Sequence, residues 1–355
     1  DAQQTGHNSW VIHSGIYYRP GSLKAQLCAR GARQLEALCD AEGIPYRRCG
    51  KVIVAVESRE LAVLEALQAR GLANGVPGLS RIGPERLREI EPNVRGLAAL
   101  HLPQAAIVDF VAVAQALANR IERAGGIVRT AARLIGLRFA DGRWRLDTTQ
   151  GEFHAGFLVN CGGLHADRLG RLSGDRSPVR IVPFRGEYYT LPPARSHLVN
   201  GLVYPVPDPA LPFLGVHFTK RLDGGVHVGP SAVLALAREG YRRTDWSLRD
   251  CAQLALDPGV WRMAMRWWRV GLAEAVRSSS RRAFLRAAQR LVPALTLSDL
   301  VPSPAGVRAQ AVDARGALVD DFVLAEAPGA LHVYNAPSPA ATASLAIADV
   351  IAERL

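Results

Sequence analysis

The stretch Leu331–Leu355, LHVYNAPSPAATASLAIADVIAERL, runs from an apolar strand-like segment (Leu331–Tyr334) through a turn with Pro337 and Pro339 into a helix of small residues starting at Ser338 or Pro339. A helix beginning with Ala340, Ala341 and Ser344 allows close backbone approach and leaves amide hydrogens free in its first turn, which suits a bulky or anionic ligand. Leu345, Ala348, Ile351 and Leu355 also make an ordinary buried stripe, which alone accounts for the helix.

A second unit of the same kind lies upstream. Phe157–Cys161 reads as an apolar strand that runs into Gly162-Gly163 and then a helix carrying Ala166, Leu169 and Leu172. The glycine pair either brings the sheet backbone against a ligand or is a plain strand-to-helix turn. Before it, Phe110–Ala124 is an amphipathic helix with Val113, Ala114, Leu117 and Ile121 inward, followed by Gly125-Gly126 and a strand over Ile127–Thr130. Leu134–Phe139 and Arg143–Thr148 pair as a hairpin across Asp141-Gly142.

Nearer the amino end, Ser22–Asp40 reads as a helix, Val52–Val56 and Ala99–Pro103 as strands, and Arg59–Ala69 and Pro84–Glu91 as surface helices. Val179–Val228 alternates and is aromatic, the pattern of an antiparallel sheet with one covered face. Arg238–Arg290 turns helical, with Trp246, Trp261, Trp267 and Trp268 expected as core or interdomain anchors. Ala305–Ala311 and Asp321–Leu324 return to strand. The order is mixed α/β, antiparallel insertion, helices, then α/β again. It predicts a nucleotide-type domain assembled from separated segments, with a second domain inserted between them.

The length of 355 residues allows two domains or one large one. Lysine and arginine number 43 against 32 acidic residues, a net charge of +11, and the excess is arginine dispersed through the chain. Dispersal argues against a nucleic-acid arm and fits an anionic substrate or an arginine-rich proteome. Cys28, Cys39, Cys49, Cys161 and Cys251 show no C-x-x-C spacing and read as free thiols in a reducing, cytoplasmic compartment. No apolar run approaches transmembrane length, while peripheral attachment at an inner membrane stays open.

No G-x-G-x-x-G, Walker loop, H-E-x-x-H or G-x-S-x-G occurs in the right context, and no metal site is expected. Three polar, glycine-containing clusters stand out. Thr5-Gly6-His7-Asn8-Ser9 with His13-Ser14-Gly15 and Tyr17-Tyr18 is costly to order unless it binds something, or is simply surface loop. Phe184–Tyr189 with Phe213–His217 sets Arg185 and His217 in strands, where arginine suits a carboxylate and histidine an alcohol proton. His217 is equally a satisfied structural histidine on this reading, and Glu187 a partner for an arginine. In Pro304–Gln310, Arg308 is either a carboxylate clamp or the partner of Asp320 or Asp321.

The segments TGHNS, VIHSGIYY, CGKVIVAV, PFRGEYYTL, YPVPDPALPFLGVHFTK, AGVRAQAVD, LVDDF and NAPSPAATASLAI together resemble the L-2-hydroxyglutarate oxidase or dehydrogenase branch of the FAD-dependent oxidoreductases related to D-amino-acid oxidase. The likeness runs from near Gln4 to the end of the chain.

It implies an FAD/NAD(P)-binding, Rossmann-like α/β domain made of 1–40, 96–175 and 301–355. An inserted α+β substrate domain with a mixed or antiparallel sheet would comprise 41–95 and 176–300. The implied reaction is oxidation of (S)-2-hydroxyglutarate, a small dicarboxylate, with FAD as cofactor and oxygen or a membrane quinone pool as final acceptor. An amino- or imino-acid oxidase of the same fold, or an inactive truncated remnant, is the alternative.

In this reading Thr5, Gly6, His7, Asn8, Ser9, Val11, Gly162, Gly163, Gly306, Pro337, Ser338, Pro339 and Ala340 surround the flavin. Arg308 and Arg185 receive the carboxylates, His217 is the base with His13 its rival, and Tyr188 completes the catalytic set. Members of the family begin with a strand and a glycine-rich dinucleotide turn, and this chain starts after them. A nucleotide domain incomplete at its amino end, a fragment with weakened flavin binding, is therefore expected. Trp10 stands where the resembling loop carries glycine, so its indole needs room or must turn outward.

Overall fold

The structure is a computed structural model that describes residues 3–211 and 213–355. A nine-stranded mixed sheet forms its centre. Within it Lys51–Ala55 pairs parallel to Leu202–Pro205 and antiparallel to Ala98–Leu102, and the long strands Arg180–Thr190 and Val301–Val312 pair antiparallel. Alternation gives the sheet two apolar faces. Val52, Val54, Val203, Phe218 and Val228 pack with Phe284 and Leu291 on one face. Ile53, Ala55, Leu202 and Tyr204 pack with Leu64, Leu67 and Ile16 on the other.

The closing unit forms as read: Ala330–Asn335 is a wholly buried strand, and Ala340–Ala352 is a helix. That strand pairs parallel with Leu158–Asn160 and antiparallel with Val323–Ala327. The buried side of the helix is Ala343, Ala346, Ile347 and Ile351; of the expected stripe Ile351 is buried and Leu345 packs partly buried against the core, whereas Ala348 and Leu355 are exposed. The reason is its partner: Leu23–Glu42 packs so closely that a Cβ on Gly31 would lie 2.5 Å from the Thr342 carbonyl oxygen, which selects the small-residue face. Ser22 caps that opening helix by accepting from the Ala25 amide, and Gly43 ends it in the left-handed region at φ +67.

Several expectations are corrected. Ile127–Thr130 joins no strand, and Ile127 is exposed, since no ladder stands beside it among the described residues. Ile121 is likewise exposed at the trailing end of the helix Phe110–Arg123. Trp246, Trp261 and Trp268 are no core anchors: each is more than half exposed. Only Trp267 is partly covered, beside Val260 and Met263. Two strands that the boundaries at 96 and 301 set with the nucleotide segments, Ala98–Leu102 and Val301–Val312, are laddered into the large sheet. Backbone pairing, which sequence periodicity does not report, decides that membership.

Candidate active site

Lys51 opens a strand, KVIVA, whose five residues are all buried. Its ammonium sits on aromatic faces, 3.6 Å from the Tyr204 ring centroid and 4.5 Å from that of Tyr17. Burial pulls its pKa down to about 7. Tyr204 in turn stacks on His217, centroids 4.0 Å apart. The Tyr17 hydroxyl is buried without a hydrogen-bond partner. A lysine in an otherwise apolar strand is the signal in the sequence that points to it.

His217, at the start of His217–Lys220, is 6% exposed, and its Nδ1 lies 2.9 Å from the Gly215 carbonyl oxygen. That contact assigns the proton to Nδ1 and leaves the Nε2 lone pair open. Burial, then the positive charges of Lys51 and Arg308 among others, holds its pKa down to about 3, so the ring is neutral near pH 7.

Arg308 lies across from Phe184 in the ladder, with its guanidinium 5.4 Å from the Phe213 ring centroid. The neighbouring Tyr188 phenol is pushed up by burial, against the opposing pull of Arg308. Asp320 is taken by Lys24, and Asp321 accepts from the Leu23 and Lys24 amides, so neither neutralises Arg308. Among the described residues the polar neighbours of Arg308 are thus a phenol and an imidazole, not a carboxylate.

Arg185 is placed differently. One residue beyond Phe184, it points to the other side of its strand and donates to Glu187 at 3.3 Å and to the Arg242 carbonyl at 3.1 Å. Glu187 also accepts two bonds from Arg243 and one from Ser278. The strand's two-residue period therefore separates Arg185 from Arg308, contrary to the expected pair of clamps.

The opening loop and the closing turn do converge. The His13 amide donates to Thr342 Oγ1 at 3.1 Å, Thr342 Oγ1 donates to the Val11 carbonyl at 3.3 Å, and His13 Nε2 lies 3.4 Å from Ser338 Oγ. His13 is neutral for the same reasons as His217, burial first and then Lys51, with a pKa down to about 3. The helix Ala340–Ala352 has no side-chain cap; the Ala340 amide is taken by the Pro337 carbonyl, and those of Ala341 and Thr342 are left for a ligand.

Several predicted cofactor positions are explained by the chain itself. A Cβ on Gly306 would lie 2.5 Å from the His7 carbonyl oxygen, which is how the opening loop seats on the sheet. A Cβ on Gly162 would strike Leu169, and Gly163 holds φ +51. Asn8 donates to the Thr5 carbonyl and accepts from the Trp10 amide, a local turn after the short helix Gln4–Gly6. His7 packs tilted against Tyr241, centroids 4.5 Å apart, and Ser9 joins this turn to the strand Val11–Ile12. Trp10 holds φ +63 in the left-handed region, where glycine is easiest, and its ring turns toward Arg221, 5.0 Å away.

One buried and one half-buried cation, two neutral imidazoles, an unpartnered phenol and an uncapped helix start thus share one region, and a planar, hydrogen-bonding ring system fits them. The model of the FAD dependent oxidoreductase family matches residues 1–354. This chain belongs to the FAD-dependent oxidoreductase family. Within that family it is 46% identical over 369 residues to the mitochondrial L-2-hydroxyglutarate dehydrogenase of Homo sapiens, covering 99% of this chain and 80% of the relative. The L-2-hydroxyglutarate dehydrogenase of Escherichia coli strain K12 is 45% identical over 353 residues, covering 99% and 83%. Among solved structures, the L-alpha-glycerophosphate oxidase of Mycoplasma pneumoniae with FAD bound overlays with a TM-score of 0.79 at 22% identity, covering 98% of this chain and 83% of the other. That likeness establishes the shared flavoprotein fold.

Proposed function

We propose that this chain oxidises (S)-2-hydroxyglutarate to 2-oxoglutarate, with Lys51 and Arg308 receiving the two carboxylates and His217 taking the hydroxyl proton. The observation that carries the reading is the charge pattern: two cations with no carboxylate partner among the described residues act on one buried, neutral imidazole. A dianionic substrate supplies the missing negative charge. It also raises the basicity of His217 at the moment that proton is withdrawn, because it screens the two charges that lower it.

His13, Val11, Ser338, Ala340 and the first turn of the closing helix would hold the flavin ring. When bound, FAD supplies the acceptor for the C2 hydride. The chain's own part is to fix C2 between the carboxylate clamps, exclude water and accept the O–H proton at His217 Nε2 as the C2–O bond becomes a carbonyl. Tyr188 orients Arg308, and Arg185 has a structural role through Glu187. Oxygen or a lipid-soluble quinone would be the final electron acceptor.

The test is anaerobic addition of (S)-2-hydroxyglutarate, sarcosine or proline to the flavin-loaded protein. Bleaching of the flavin absorbance by the hydroxy acid alone is expected. Bleaching by an amine instead would reassign the chain to the amino- and imino-acid oxidases of the same fold.

A further inference from the structure

Trp10 keeps a backbone conformation, φ +63, that glycine adopts freely and a residue with a side chain adopts under strain. Two hydrogen bonds hold it there: its amide donates to Asn8 Oδ1 at 2.7 Å, and its carbonyl accepts from the Val108 amide at 2.9 Å. Such strain persists only where the surroundings over-determine it. The indole adds a third tie, to Arg221, whose guanidinium carbon lies 5.0 Å from the ring centroid.

Arg221 opens the turn between the strands His217–Lys220 and Val226–Gly229. Its backbone is fixed: the amide donates to the Gly225 carbonyl at 2.9 Å, and the carbonyl accepts from Arg47 at 2.7 Å. Its side chain is held less firmly by charge. Asp223, its one ion-pair partner among the described residues, is 3.4 Å away and 63% exposed, so water weakens the pair. Arg221 Nη1 instead lies 2.8 Å from His227 Nε2. A guanidinium only donates, so that nitrogen accepts, and the ring is the neutral Nδ1–H tautomer. Burial, then the charge of Arg221, holds His227 down to about 4 and keeps it neutral near pH 7.

His227 stands on the same floor as the proposed base. Thr219 pairs with it across the ladder, and the two-residue period puts Thr219 on the face that carries His217. The His227 ring is 6.0 Å from that of Tyr188, the neighbour of Arg308. A Cβ on Gly229 would lie 3.1 Å from Tyr188 Cδ1, so the strand that carries His227 passes Tyr188 at contact distance. One line of contacts thus joins the opening loop to the clamp, in the order Trp10, Arg221, His227, Tyr188 and Arg308.

We propose that Trp10 is a positioning residue for substrate binding: its indole keeps Arg221 on His227, and through Tyr188 this contact sets where the Arg308 guanidinium stands. This role rests on the reading that Arg308 receives a carboxylate, and it makes the indole a determinant of affinity and not of the chemical step. Without the indole, Arg221 turns to Asp223 and solvent, and His227 and Tyr188 lose their backing.

The flavin-loaded full chain is compared with Trp10→Gly, Trp10→Phe, Arg221→Met and the double variant Trp10→Gly/Arg221→Met, with melting temperature as the check on folding. Hydrogen exchange of peptides spanning Arg221–Gly225 should quicken in Trp10→Gly. KM for the acid that bleaches the parent's flavin should rise about 2- to 5-fold, the worth of one lost cation–π contact, with kcat little altered. Trp10→Phe keeps a ring face for Arg221 and should restore both readouts. Arg221→Met should raise KM to a similar degree, and the double variant no further, because both changes break one contact.

Unaltered exchange in Trp10→Gly overturns the role. So does a quicker turn with an unaltered KM, which would make the indole packing only, or effects that multiply in the double variant, which would separate Trp10 from Arg221. Exchange at the turn needs no substrate, and bleaching of the parent chain is read first. If an amine bleaches it in place of the hydroxy acid, the substrate reading fails by itself, and the KM of that amine is followed in the variants.

Discussion

Lys51 holds an ammonium on two ring faces instead of against a carboxylate, and the lowered pKa of about 7 makes its charge sensitive to pH. In the free enzyme the charge is present below that value and is lost as pH rises through it, so kcat/KM for a dicarboxylate should fall on the alkaline side of neutrality. Lys51→Met should raise KM and lower kcat/KM by roughly 10- to 100-fold, the worth of about 1.5–3 kcal/mol for a hydrogen bond to a charged group. It should also abolish that alkaline decline; an identical pH profile in the variant would remove Lys51 from the site. Arg185 supplies the contrasting case. Because it donates to Glu187 and to the Arg242 carbonyl, Arg185→Met should lower the melting temperature while leaving KM unchanged; Glu187 keeps Arg243 and Ser278, so the cost is about 1.5–3 kcal/mol, that of a hydrogen bond to a charged group. A large rise in KM with unaltered stability would instead return Arg185 to substrate binding.

Among the elements, the pair Leu23–Glu42 and Ala340–Ala352 does most to align the site. Their contact at Gly31 sets the distance between them, and through Thr342 and Ser338 it sets where Val11 and His13 lie. Gly31→Ala would press a methyl against backbone atoms of Thr342 and Ala343 that no rotamer change relieves, so a loss of about 1–3 kcal/mol is expected in chemical denaturation. The same shift should weaken flavin affinity, measured by absorbance titration. Unaltered stability would mean that the helices separate freely, and the closing turn would then not be a fixed wall of the site. Much of this was readable beforehand. The proline turn, the small-residue closing helix and the helix that opens near Ser22 follow from local chemistry. The side of the closing helix that is buried did not, because it is selected by the approach of a helix some 300 residues away in sequence.

At the scale of the whole molecule, burial of neutral histidines couples stability to acidity. His13 and His217 are held down to about 3 and His227 to about 4, from an ordinary value of 6.5. Between those values the unfolded chain binds more protons than the folded one, so stability rises with pH and is lost as pH falls below about 6.5. Each of these histidines contributes at most about 1.4 kcal/mol per pH unit in that window. Urea unfolding at pH 7 and pH 5 should show the decline, and His217→Gln should make it shallower by one histidine's share. Equal slopes in the two proteins would show that His217 titrates freely.

The sequence alone determined the α/β class, the family and the identity of the closing strand-turn-helix, because these rest on local patterning and on long motifs that need no third dimension. His217, Arg308 and His13 were legible as candidates from side-chain chemistry. Tertiary structure decided which cations share the site: Lys51 is brought in by the parallel pairing of its strand with the one that carries Tyr204, and Arg185 is turned away by the two-residue period of its own strand. It also decided that the tryptophans of Pro258–Ser279 face outward. Composition marks an indole as apolar, but which side of a helix meets the core depends on the sheet it packs against, and that partner is set by the fold.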